Sequence, residues 1–80
     1  MSLAIKEIDL HGKTIYQAEI AIEAALRRSW GLYTIRLIHG YHSGTALRDF
    51  IRETYASDPR IVRLGINNPG ITDLHLRELY

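Results

Sequence analysis

The sequence predicts an α/β fold: a two-layer sandwich with a four-stranded mixed sheet and two helices on one face, in the order β-α-β-α-β-β. Three observations predict it. Four short apolar runs carry strand-like alternation or β-branched residues, and two amphipathic stretches of helical period separate the first three of them. Strands separated by helices favour parallel pairing through right-handed crossovers. The last two runs are joined by Asn67-Asn68-Pro69-Gly70, a turn signal that makes them an antiparallel hairpin. Two helices cover one face of such a sheet and leave the other partly open.

The first strand is Ala4 to Leu10, with Ile8 and Leu10 on one face and Glu7 and Asp9 on the other. His11-Gly12 closes it. Thr14 then reads as a helix N-cap, and Gln17 three residues later completes a capping box. Ile15, Ala18, Ile22, Ala25 and Leu26 form the apolar stripe of the first helix, Arg27 and Arg28 suit its last turn, and Gly31 is its expected stop. Tyr33 to Ile38 is the second strand. Thr45 or Ser43 caps a second helix whose buried stripe is Leu47, Phe50, Ile51 and Tyr55, ended by Asp58-Pro59. The third strand runs from Ile61 to Ile66, with Val62, Leu64 and Ile66 on one face. The fourth runs from Ile71 to Leu76, with Thr72, Leu74 and Leu76 alternating against Asp73 and His75.

Residues 1–80 read as one domain, with Met1–Leu3 as a flexible or vector-derived start. Hydrophobic residues at 46% and charged residues at 24% are ordinary globular values. No apolar run approaches the ~20 residues of a membrane span, and no signal-peptide pattern is present. Cysteine is absent, which excludes disulfides and thiolate zinc sites and suits a cytoplasmic setting. A net charge of +1 argues against a strongly basic coat, yet eight of the ten cations are Arg, whose fork matches phosphate oxygens.

Ligands of open α/β sheets gather at the carboxyl ends of parallel strands. The first strand ends in Asp9-Leu10-His11-Gly12 and the second in His39-Gly40. Asp9 and His11, two apart, leave the same face. The second helix starts near that edge, where free N–H groups and the dipole suit an anion, and Gly40 and Gly44 admit a phosphate without a Cβ in the way. His39 follows Ile35 and Leu37 on the core face, so a structural role supporting the loop stands beside a catalytic one.

The stretches "IDLHG" (Ile8 to Gly12) and "IHGYHSGTALRDFI" (Ile38 to Ile51) resemble the Smr, or small MutS-related, domain family. Its members carry an L-D-x-H-G motif early and an H-G-x-G-x-G-x-L-R motif after the second strand. The resemblance spans essentially the whole chain, including the late "PGITDLHL" (Pro69 to Leu76). It implies nucleic-acid work: nicking endonuclease activity on DNA or RNA, as in DNA repair or recombination, or binding without cleavage. The acidic-histidine motif maps onto Asp9 and His11, the His-Gly loop onto His39, Gly40 and Gly44, and the Leu-Arg pair onto Leu47 and Arg48, one residue farther along than the motif has it. One departure stands out. The family loop reads roughly His-Gly-Lys-Gly, whereas Tyr41 and His42 replace its Lys and second Gly here.

The leading expectation is therefore an endonuclease hydrolysing phosphodiesters of structured DNA or RNA. Asp9, His11 and His39 are its catalytic candidates, with Asp9 orienting His11 and the two histidines sharing the base and acid roles. Gly12, Lys13, Gly40, Tyr41, His42, Ser43, Gly44, Thr45 and Arg48 are the phosphate and nucleic-acid contacts. Tyr41 is placed to stack on a base and His42 to replace the lost charge. The first rival is a binding module of the same fold without cleavage. The second is an enzyme for a metal or small phosphate: no cofactor is required, but Asp9, His11, His39 and His42 suit a divalent cation. The expected partners are DNA or RNA, no membrane, and a larger parent protein or partner domain. Lys13, Arg36, Arg63 and Arg77 are candidates for a wider basic surface. Asp73-Leu74-His75 is read as a coincidental repeat on a solvated face, and Tyr16, Trp30 and Tyr33 as packing residues.

Overall fold

The computed structural model describes residues 4–40 and 45–77. Met1–Leu3, the candidate contacts Tyr41, His42, Ser43 and Gly44, and Glu78–Tyr80 lie outside the described residues. The elements are β1 (Ile5–Asp9), α1 (Ile15–Arg27), β2 (Thr34–Ile38), α2 (Ala46–Tyr55), β3 (Arg63–Asn68) and β4 (Ile71–His75). The sheet order is β1-β2-β4-β3, with β1 parallel to β2 and β4 antiparallel to both β2 and β3. This is the mixed two-layer sandwich expected from the sequence. The hairpin's second strand lies between β2 and β3, so β1 and β3 form the sheet edges.

The core is the face under the helices. Ile35 and Leu37 of β2, Leu74 of β4, Leu10, Ala18 and Ile22 of α1, and Ile51 of α2 are fully buried. Each large aliphatic side chain among them contributes roughly 1.5–3 kcal/mol by area removed from water. Thr14 caps α1 as a full capping box: its hydroxyl accepts the Gln17 N–H, and the Gln17 side chain accepts the Thr14 N–H. Tyr55 is buried with its hydroxyl donating to Glu23 at 2.8 Å, and Arg60 bridges Glu23 and Asp58. This network ties α1, α2 and the α2–β3 connection together.

Several expectations need correction. Ile15, the first residue of α1, is half exposed. Helix α1 ends at Arg27 with Arg28 as its cap, before Gly31. Helix α2 ends at Tyr55, before Asp58-Pro59, because Asp58 turns back to accept the Arg60 N–H at 2.8 Å. Strand β3 starts two residues later than read. Ile61 ahead of it is buried, while Val62 and Ile66 are about half exposed. An edge strand with an irregular register between Gly65 and Asn68 does not keep one face on the core.

The open face is not a plain solvated surface. Across it Arg36 pairs in register with Asp73, and its guanidinium makes a bidentate bond to that carboxylate at 2.9 and 3.0 Å. Asp73 is thereby buried, and Arg36 is committed rather than free for phosphate. His75 reaches the Thr34 hydroxyl at 3.0 Å, and its ring lies over Gly65, where an added Cβ would come within 2.7 Å of Nε2. The second Asp-Leu-His is thus a structural element of a central strand. Trp30 and Tyr16 are not packing residues either: they are 93% and 72% exposed.

Candidate active site

Parallel pairing puts Asp9 opposite Ile38, so β1 and β2 end at the same edge. The Leu10 N–H donates to the Ile38 carbonyl at 2.8 Å and extends the pair by one residue. A turn follows, closed by the Lys13 N–H on the Leu10 carbonyl at 3.0 Å, with Gly12 at φ 78°. His11 projects from that turn. Asp9 Oδ1 accepts the His11 backbone N–H at 3.1 Å and lies 2.7 Å from His11 Nδ1. Both side chains are largely exposed, at 61% and 73%.

The hydrogen bonds from His11 hold the Asp9 carboxyl below its ordinary value of 3.8. At neutral pH it is ionised and can only accept. The proton in the short contact therefore belongs to His11 Nδ1, which leaves Nε2 as the basic nitrogen of an exposed ring.

His39 is placed differently. It is buried on the core side, with Nδ1 2.9 Å from the Gly40 carbonyl and Nε2 2.9 Å from the Thr72 hydroxyl. A carbonyl only accepts, so Nδ1 carries the proton and Nε2 accepts from Thr72 in the neutral ring. The Thr72 oxygen in turn accepts Arg52 Nε–H at 3.0 Å. Arg52 also donates to the Asn68 and Ile71 carbonyls, at 3.3 and 3.4 Å. Burial lowers the His39 pKa below 6.5, and the nearby Arg52 and Arg48 charges lower it further. A chain of hydrogen bonds thus runs from Arg52 through Thr72 and His39 to the Gly40 peptide.

Gly40 adopts φ 73°, a conformation that disfavours a side chain. Its N–H and that of His39 both donate to the Gly70 carbonyl at 3.0 Å. The Gly40 N–H is therefore already engaged within the fold. An added Cβ would sit 3.6 Å from His11 Cβ, so the two sequence motifs meet at His11 and Gly40.

Thr45 occupies the N-cap position of α2, but its hydroxyl donates to Asp49 Oδ2 at 2.9 Å instead of capping the helix. Arg48 approaches Asp49 Oδ1 at 3.2 Å. The Thr45 hydrogen bond, with Arg48, holds the Asp49 carboxyl below its ordinary range. The positive start of α2 is therefore already partly balanced by a carboxylate. An acid in a first helical turn is the usual dipole partner, and that signal was readable in the sequence. Lys13 and Gly12 are exposed beside His11. Among the described residues no three His, Cys, Asp or Glu side chains come together as a metal site.

Residues 8–70 match the model of the Smr domain. The chain belongs to the Smr domain family. It is 41% identical over 68 residues to Endonuclease MutS2 of Thermus thermophilus, a match that covers 82% of this chain and 9% of that protein. The crystal structure of the Smr domain of Thermus thermophilus MutS2 matches it with a TM-score of 0.80 at 35% identity. That match covers 91% of this chain and 99% of the solved one. This Smr domain is thus the counterpart of a small part of a larger endonuclease. Asp9, His11, His39, Gly40 and Arg48 all fall inside the matched span. So do Arg52 and Asp49, which sequence reasoning passed over. The sequence did offer a signal for Thr72: a hydroxyl at a core-facing strand position requires a buried partner.

Proposed function

We propose that this Smr domain binds structured DNA or RNA and nicks a phosphodiester strand, with Asp9 and His11 as the reacting pair. The observation that carries this reading is the 2.7 Å contact from Asp9 Oδ1 to His11 Nδ1. It fixes the tautomer that a general base needs, on an exposed ring beside Gly40. His11 Nε2 takes the proton from the attacking oxygen, either water or a ribose 2′-hydroxyl. That oxygen bonds to phosphorus, the P–O bond to the leaving oxygen breaks, and the leaving oxygen takes a proton from solvent water, while His11 later returns its proton to solvent. Lys13 and Arg48 stabilise the developing charge, with Gly12 and Thr45 beside the path. His39, with both nitrogens engaged, positions Gly40 and does not transfer protons. Tyr41, His42, Ser43 and Gly44 complete the phosphate contacts. Support also comes from the Thermus relative, an endonuclease.

A second reading is a binding module without cleavage. Asp49 at the start of α2 favours it, because a carboxylate there opposes a phosphate. So does the replacement of the family's Lys-Gly by Tyr41-His42. A parent protein supplying further contacts fits the 9% share of the relative.

The test follows binding and strand nicking together on branched DNA and hairpin RNA, at low and physiological salt. Nicking by wild type supports the first reading. Binding with no nicking moves the assignment to the second.

A further inference from the structure

A groove of about 470 Å³ lies away from the reacting pair, between the edge strand β1 and the C-terminal half of α1. Ala21 and Ala24 keep the helix side shallow, Ile8 and Leu32 line it with apolar surface, and Trp30 stands at its rim. Trp30 is 93% exposed, so this large apolar ring contributes almost nothing to the core. Lys6 and Arg28 flank the groove, and exposed Arg27 is next in sequence. Among the described residues Glu7 is the one carboxylate lining it, and the charge of Arg36 acts on it across the register of β1 and β2. The groove is thus an apolar slot with an aromatic rim and a net positive mouth.

The groove is also joined to the reacting pair. The Tyr33 N–H donates to the Ala4 carbonyl at 2.9 Å, which sets the turn carrying Trp30 beside the start of β1. From Ala4 to Asp9 the strand advances roughly 16 Å at about 3.3 Å per residue.

We infer that Trp30 is a base-stacking platform for a single-stranded segment of nucleic acid, with Lys6 and Arg28 holding its phosphates, roughly 16 Å along β1 from Asp9 and His11. The inference rests on the nucleic-acid reading above and adds to it a second contact of stated chemistry. An aromatic face with flanking cations is the arrangement by which proteins hold unpaired bases irrespective of sequence. A domain so built engages the junction between paired and unpaired strands: the unpaired arm lies along β1 and the phosphodiester to be cut lies at its carboxyl end.

Trp30 is the chain's single tryptophan, so its emission reports on this site alone. Twelve-nucleotide oligo-dT and oligo-U, end-labelled with a dye, are titrated into the protein while Trp30 emission and dye anisotropy are read on the same samples. The expected result is saturable quenching that tracks the anisotropy rise. Trp30→Ala weakens binding about tenfold and Trp30→Phe recovers part of the loss. Lys6→Ala and Arg28→Ala each reduce the salt slope by about one. An anisotropy rise with unchanged Trp30 emission overturns the stacking site and leaves the nucleic-acid reading standing. No anisotropy rise with oligonucleotides, branched DNA or hairpin RNA overturns both. Quenching by an oligoglutamate peptide but not by oligonucleotides overturns the inference and assigns the groove to an acidic peptide.

Discussion

His39 Nε2 accepts a hydrogen bond from the Thr72 hydroxyl at 2.9 Å, and this contact ties the loop after β2 to the central strand β4. Thr72→Val keeps the shape and removes the hydroxyl, leaving buried His39 Nε2 without a donor and Arg52 Nε without its acceptor. The expected cost is about 1–3 kcal/mol. For a domain of this size each kcal/mol lowers the melting temperature by roughly 4–8 °C. Thr72→Ser keeps the hydroxyl and loses much less. Thermal unfolding of the three proteins checks this, and equal melting of wild type and Thr72→Val contradicts it.

The buried His39 also makes stability depend on pH. Its folded pKa lies below 6.5 because burial disfavours the imidazolium. Below pH 6.5 the unfolded chain takes up a proton that the folded one does not, so stability is fully present above that pH and declines as pH falls toward the folded pKa. Urea unfolding at pH 7, 6 and 5 is expected to show a falling midpoint. An NMR titration of the ring places the His39 transition below 6.5. A flat stability profile over this range, or a His39 pKa at or above 6.5, contradicts the account.

Gly65 lies beneath the His75 ring, where an alanine Cβ would come within 2.7 Å of Nε2. Gly65→Ala therefore displaces the ring and its 3.0 Å contact with Thr34, at a cost of about 1–3 kcal/mol. In a His75→Ala background the same substitution costs less, because the nearer obstacle is gone and the Asp73 Cβ at 3.1 Å remains. A double-mutant cycle of unfolding free energies reads the coupling. Purely additive effects would mean that the two residues do not compete for that space.

Tyr41 and His42 stand where the family pattern carries Lys and Gly. The double substitution Tyr41→Lys, His42→Gly adds a cation beside the proposed phosphate path. Affinity for duplex substrates is expected to rise, and the slope of log affinity against log salt to steepen by about one. An unchanged slope places the loop away from the phosphates.

Much of the fold was legible because local signals agreed. Thr14 and Gln17 fix the start of α1, and the alternation of Ile35 and Leu37 marks the core face of β2. The pairing of Asp9 with His11 was legible because it is local, two residues apart at a strand end. The Arg52–Thr72–His39 chain was not, because it joins α2, β4 and the end of β2 through sequence separations of 20 and 33. The burial of Asp73 was missed for the same reason. A charged residue at an outward position reads as solvated until the strand opposite supplies an arginine. Trp30 was misread because composition favours burying tryptophan, while its turn sets it at the rim of a groove.

The central claim is that Asp9 and His11 act as one catalytic unit, and single-turnover nicking by His11→Ala tests it most directly. Wild type and variant are compared on the same end-labelled branched DNA and hairpin RNA, with binding measured alongside. His11 is exposed, so the variant is expected to fold and to bind within about twofold of wild type. Its cleavage is expected to fall by ~100-fold or more, and Asp9→Asn to show the same direction. Cleavage by His11→Ala at the wild-type rate would contradict the assignment and move the chemistry elsewhere in the domain.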